Sequence, residues 1–197
     1  MIKKLFFAII AVAITGQVTA QQIKFGAKAG LNLATFKGAD LGAGADLKTK
    51  YGVAFGATAE FSLTDKFSVQ PELLFSQQGL KATIEVLEDN EILDVDFNVN
   101  YLSVPVLAKY YVLKGLSLEA GPQVSFLLSE KITVNGIEAM EAPEPKKVDF
   151  SANIGLGYQF DNGLFVQGRY NHGFTNINEE GDDAQNEVFQ FSIGYQF

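Results

Sequence analysis

Six charged residues carry most of the chemical potential of this sequence: Lys28, Glu60, Glu72, Lys109, Glu119 and Arg169. Each stands among Gly, Ser, Asn and Gln on the polar side of a segment whose alternate positions are apolar. Each also falls towards the same end of its segment, so strands laid side by side bring three cations and three carboxylates into roughly one layer. Charges withdrawn from water are costly unless each meets an opposite charge and a full set of hydrogen bonds. Both signs at one height satisfy that condition. An ion-selective ring uses a single sign, so the expected role is structural, a layer that fills a narrow lumen. The functional alternative is a latch that gates a passage.

Other candidates are weaker. His172, the single histidine, lies in an apolar phase with Tyr170 and Phe174. A catalytic base needs a nucleophile and an orienting carboxylate, and the spacing indicates neither; an aromatic-like packing role is expected. Glu88-Asp89-Asn90-Glu91 and Glu179-Glu180-Gly181-Asp182-Asp183 offer oxygen ligands of the kind calcium takes. They lack the spaced Asp/Asn-Gly-Glu order of a calcium loop and read as solvated loop tips. Gly26-Ala27-Lys28-Ala29-Gly30 and Gly155-Leu156-Gly157 resemble phosphate-binding glycine motifs only superficially, because no helix follows them. The expectation is therefore no catalytic residue, no cofactor and no metal.

The elements that position the six charges are strands. Period-two alternation runs through Ile23–Leu33, Tyr51–Leu63, Phe67–Ser76, Tyr101–Val112, Leu116–Leu128, Asp149–Phe160, Leu164–His172 and Phe189–Phe197, the pattern of strands with two unlike faces. Three connections are tight, at Thr64-Asp65-Lys66, Lys114-Gly115 and Asp161-Asn162-Gly163. Four are long and polar, near residues 34–50, 79–100, 129–148 and 175–187. Tight and long connections alternate, as in transmembrane barrels, where turns face the periplasm and loops face outward.

Aromatics of the apolar phase sit near both strand ends. Phe25, Phe61, Phe67, Tyr110, Phe160 and Phe197 lie towards the turns; Tyr51, Phe75, Phe126, Phe150 and Phe189 lie towards the loops. Two aromatic girdles around an apolar band form the membrane pattern. The expected fold is an all-β, eight-stranded antiparallel up-and-down transmembrane β-barrel.

The first twenty residues read differently. Met1-Ile2-Lys3-Lys4 is a positive start, Leu5–Ile14 is apolar, and Val18-Thr19-Ala20 is a small-residue cleavage site. That is the layout of a secretory signal peptide, and roughly ten apolar residues are too few for a spanning helix. The division is thus 1–20 signal peptide, 21–197 barrel domain. No Cys occurs anywhere in the chain, which excludes disulfides and a lipidated N-terminal cysteine. The net charge of −8 argues against nucleic acid as a partner, since phosphate binding needs clustered Lys and Arg.

Several stretches carry a family resemblance. Gln70-Pro71-Glu72-Leu73-Leu74-Phe75-Ser76-Gln77-Gln78-Gly79, Asn100–Tyr111, Glu119-Ala120-Gly121-Pro122-Gln123-Val124, Arg169-Tyr170-Asn171-His172-Gly173 and Gly194-Tyr195-Gln196-Phe197 are together similar to the PorT-like outer-membrane β-barrel family of Bacteroidota. The resemblance implies a small barrel in the bacterial outer membrane; the even number of strands, with tight turns facing the periplasm, is expected to put both termini on the periplasmic side. The resemblance implies no activity. Some relatives belong to a protein-secretion apparatus, an analogy of fold alone. Phe197 at the end also resembles the aromatic signal read by the barrel-assembly machinery.

The functional expectation is a non-enzymatic barrel with a plugged lumen, acting in structure or interaction through its long extracellular loops. Its partners would be outer-membrane lipid and lipopolysaccharide, the assembly machinery during biogenesis, and a protein met through the loops. A small-solute, porin-like channel is the alternative; an outer-leaflet lipid-modifying enzyme using His172 is a third. Lys81–Val86 and Ile92–Val99 continue strand-like sequence past the membrane segment and are expected to project as a hairpin. Pro143-Glu144-Pro145 with Lys146-Lys147 is expected to be extended.

Overall fold

A computed structural model describes residues 23–37, 45–86, 91–138, 146–176 and 185–197. The expected signal peptide, the acidic runs 88–90 and 179–183, and Pro143-Glu144-Pro145 lie outside the described residues.

The described residues form nine strands: β1 (Ile23–Lys37), β2 (Ala45–Ser62), β3 (Phe67–Val86), β4 (Glu91–Tyr111), β5 (Leu116–Val134), β6 (Ile137–Glu138), β7 (Val148–Gln159), β8 (Leu164–Asn176) and β9 (Gln185–Gln196). Each long strand pairs antiparallel with its sequence neighbour, and β1–β9 and β4–β5 pairings complete a closed ring of eight. β6 is a short addition to β5 outside the ring. Closure leaves no unpaired edge within the ring, which is what lipid demands of a spanning sheet.

Alternation decides which side chains face which solvent. Residues of the polar phase, such as Asn32, Thr58, Gln70, Ser103, Ser125, Asn153 and Gln167, are buried in the lumen. Large apolar residues of the other phase, among them Leu31, Phe55, Leu73, Leu118, Ile154, Leu156, Phe191 and Ile193, are exposed on the outer wall. A chain that hides its amides and displays leucine and phenylalanine is stable only against hydrocarbon. The segment Tyr101–Val112 carries Tyr101, Pro105 and Leu107 in its polar phase, and the structure buries all three in the lumen wall.

The strands outrun the expected segments. β2 to β5 continue beyond the eight-strand wall at the long-loop end, with Lys81 opposite Asp96 and Val95 opposite Val134. The expected β3–β4 hairpin is present, and β2 and β5 flank it. Residues 129–138, expected as polar loop, instead extend β5 and turn back through Asn135-Gly136 into β6. Both turn residues have positive φ, 50° and 80°. Asn-Gly is the dipeptide that tolerates this at least cost, and its turn matches the twist of a hairpin. The Val134-Asn135-Gly136-Ile137 run carried that signal in the sequence.

At the base of this projecting sheet Leu80, Val99 and Tyr101 form a buried apolar cluster, with Phe97 and Leu127 packed against it. At the opposite end the tight turns are polar. Lys114 donates to Asp161 at 2.9 Å, and that hydrogen bond holds the ammonium above its ordinary range.

Candidate functional site

The six charges meet in the lumen as one chain of alternating sign. Glu60 on β2 accepts from Lys109 on β4 at 3.0 Å, and Lys109 lies 3.6 Å from Glu119 on β5. Glu119 lies 3.7 Å from Arg169 on β8, and Arg169 holds Glu72 on β3 through two bonds of 3.0 Å. Lys28 on β1 ends the chain, 2.8 Å from Glu72. All six side chains are buried.

The reason for this placement is register. Lys109 and Glu119 are direct cross-strand partners. Glu119 and Arg169 both pair with Gly155 of β7 from opposite sides, so one strand separates them. Glycine elsewhere in the layer clears space. A Cβ on Gly157 would stand 2.3 Å from Oε1 of Glu119 and 2.9 Å from Oγ of Ser117.

Neutral groups add further bonds to the carboxylates, while Nε of Arg169 has no hydrogen-bond partner among the described residues. Glu60 accepts from Tyr111 at 2.6 Å, from Ser68 at 2.7 Å and from Gln196 at 3.1 Å. Gln167 donates to both oxygens of Glu119, at 2.9 and 3.1 Å, and accepts from Lys28 at 3.2 Å. Gln70 donates to Glu72 at 2.7 Å and accepts from Lys109 at 3.0 Å. Buried carboxylates with several charge-assisted donors each are in the geometry that offsets desolvation. Gln70, Gln167, Gln196 and Tyr111 share the polar phase of their strands. Their role as bridges depends on neighbours that sequence alone does not reveal.

Towards the long loops the lumen continues as neutral hydrogen bonds. Asn32 donates to Ser76 at 2.9 Å and accepts from Gln190 at 2.9 Å; Ser103 and Ser125 are 3.0 Å apart; Asn171 donates to Ser151 at 2.9 Å. A cavity of about 10 Å³ remains among Gln78, Gln123, Asn153, Arg169 and Gln190, room for about one water. Below the charge chain the lumen opens into a vestibule of about 1180 Å³ between the tight turns, with Glu60, Tyr111, Gln159 and Gln196 among its lining residues.

His172 faces outward, as its phase required. The sequence indicated no carboxylate beside it, but Glu187 on β9 is its cross-strand partner, with Oε1 3.4 Å from Nδ1. Its hydroxyl-bearing neighbour Tyr170 donates to that same carboxylate at 2.8 Å. No group of three or more metal-ligating side chains occurs among the described residues.

Residues 19–179 match the family model described as "Outer membrane protein beta-barrel domain". The chain belongs to that family. Membership places it in the bacterial outer membrane, where strands cross the bilayer. Among curated proteins no sequence matches. Among solved structures this family member is similar to Neisserial surface protein A, at 10% identity and a TM-score of 0.57, covering 91% of this chain and 100% of that one. It is also similar to Ail, the attachment invasion locus protein of Yersinia pestis, at 14% identity and a TM-score of 0.52, covering 88% and 98%. At such identities the likeness is one of fold, and it agrees with the ring of eight.

Proposed function

We propose that this barrel is a non-enzymatic outer-membrane protein whose lumen is plugged and whose work is done by the strands and loops projecting from the cell. The observation that carries this reading is the Arg169–Glu72 pair. β8 and β3 stand opposite one another in the ring, so a buried bidentate ion pair crosses the full width of the lumen. An eight-stranded barrel is only wide enough for side chains to fill, and here they meet in the middle. The residual cavity beside that pair has room for about one water.

Orientation follows from the same logic as the fold. Tight turns and both termini belong on the periplasmic side, and the long connections belong outside. Membership of the narrower PorT-like group is supported by the Gln70–Gly79 and Asn100–Tyr111 motifs. Lipid and lipopolysaccharide contact the outer wall, and the barrel-assembly machinery is the partner during biogenesis.

The projecting sheet is the interaction surface in this reading. Its strands are stiffened by side-chain contacts: Asp96 receives Lys50 and lies 3.6 Å from Lys81, Thr83 donates to Asp94 at 3.0 Å, and Lys48 donates to Thr83 at 2.9 Å. A further hydrogen bond ties Asp94 to the β5–β6 turn, its amide donating to Asn135 at 2.9 Å. Ail, similar in fold, has been solved with the heparin analogue sucrose octasulfate.

The test is crosslinking from the projecting sheet on intact cells, with a photoreactive residue at exposed Ile92 or Ile137. A specific adduct is expected there and not from the tight turn at Lys114. Adducts from the Lys114 turn alone would overturn the reading.

A further inference from the structure

Three buried polar atoms face one another's neighbourhood where the charge chain gives way to the neutral layer. Arg169 commits its terminal nitrogens to Glu72, and its Nε meets no hydrogen-bond partner among the described residues. Gln190 is the cross-strand partner of Arg169 on β9. Its amide donates to Asn32 at 2.9 Å, and that of Gln78 donates to Ser76 at 3.0 Å. The Oε1 of each glutamine is likewise unmatched among the described residues. Gln78, Arg169 and Gln190 are 3%, 5% and 7% exposed. All three line the same cavity of about 10 Å³, with Leu74 and Val188 in its walls. Buried polar atoms are rarely left in this condition, because each forfeits its bonds to water.

The chemistry of the three atoms selects the occupant. Nε of a guanidinium is a donor, and the two amide oxygens are acceptors. A cation in the cavity would meet the positive guanidinium. An anion would meet the negative ends of two carbonyl dipoles. A water molecule matches all three at once, since its oxygen accepts from Nε and its two hydrogens reach the two amides. The volume admits about one.

We propose that a single ordered water binds in this cavity, accepting from Nε of Arg169 and donating to Oε1 of Gln78 and of Gln190. Its bonds close a ring. Gln190 donates to Asn32, Asn32 and Gln78 both donate to Ser76, and the water joins Gln78 to Gln190. The ring spans β9, β1 and β3, and the bond from Arg169 on β8 fastens it to the charge chain. The water thereby links the charged and neutral layers of the lumen. This site deepens the plugged-lumen reading and rests on it. The two fail separately, since bilayer conductance reports on the plug and the Arg169 proton on the water.

Arg169 is the single arginine of the chain, so isotope-labelled arginine gives one Nε–H signal in the NMR spectrum of the detergent-solubilised protein. A cross-peak between that proton and water is expected, with the rotating-frame sign that distinguishes close contact from chemical exchange. Val188→Ile adds one methylene to an apolar wall of the cavity and removes no hydrogen bond. In that variant the cross-peak is expected to vanish while the Nε–H signal itself remains. Absence of the cross-peak in the unaltered protein, or an undiminished one in Val188→Ile, overturns the proposal. A shift of the Nε–H signal when sodium chloride is replaced by ammonium sulfate at equal ionic strength marks an ion as the occupant and overturns it too. Folding of the variant is checked by its migration on gels before and after boiling.

Discussion

Arg169 and Glu72 reach each other from opposite sides of the ring and meet through two parallel hydrogen bonds of 3.0 Å each. They are 97 positions apart in the chain. The other links run between adjacent strands or strands two apart, so this pair alone in the alternating chain spans a diameter. It ties the two halves of the barrel across their centre, and its fit depends on every register between β3 and β8.

Removing one member of a buried pair leaves the other without compensation, at a cost of about 3–5 kcal/mol. Arg169→Met or Glu72→Met alone is expected to lose about that much. The double variant is expected to lose less than the sum of the two, because no unpaired charge of that pair remains, with coupling of about 1–3 kcal/mol. The chain has no Trp, so urea unfolding in lipid vesicles is best followed by the mobility of unboiled samples. Additive losses would contradict the pairing.

Tyr111→Phe removes the shortest hydrogen bond to Glu60, at 2.6 Å, without changing the ring. A bond to a buried charged group contributes about 1.5–3 kcal/mol, and a loss in that range is expected in the same unfolding measurement. Ser68, Lys109 and Gln196 still hold Glu60, so the barrel is expected to assemble. No change in stability would mean that Glu60 does not depend on the phenol.

Gly157→Ala places a methyl carbon where the Glu119 carboxylate now sits. Glu119 is held by Gln167 and Ser117 and faces Lys109 and Arg169, so moving it disturbs several partners at once. A loss of about 1–3 kcal/mol is expected, as for other overpacked sites. Gly157→Ala combined with Glu119→Gln is expected to be less than additive, because the displaced group then carries no charge.

The β5–β6 turn offers a contrast. A Cβ on Gly136 would meet nothing, but its φ of 80° disfavours any L side chain. Gly136→Ala is expected to cost about 1 kcal/mol locally, read as faster amide exchange at Thr133 and Val134. Exchange in the lumen-lining strands is expected to stay unchanged, because the projecting sheet lies beyond the membrane ring. Faster exchange throughout the barrel would contradict that separation.

Much of this was legible in the sequence because period-two alternation survives any register. Each of the six charges could be assigned to the lumen and to one height from its phase and its distance from a tight turn. Which cation meets which carboxylate was not legible. Pairing depends on which strands face one another across the ring: Arg169 on β8 meets Glu72 on β3, and Lys28 on β1 meets that same carboxylate, contacts between strands that no turn connects. The same limit hid Glu187. It shares the outward phase of Phe189, but only the β8–β9 register sets it opposite His172. The extent of β2 and β5 was missed for another reason. Outside the bilayer both faces of a strand meet water, so the segments lose the contrast by which strands were recognised.

The central claim is that side chains close the lumen, with Arg169 and Glu72 at its middle. Single-channel recording in planar bilayers tests it most directly. The purified protein is expected to give no reproducible unitary current, whereas a variant carrying Arg169→Ala, Glu72→Ala and Gln167→Ala, checked for folding by heat-dependent migration, is expected to give small steps. Reproducible unitary conductance from the unaltered protein would contradict the account.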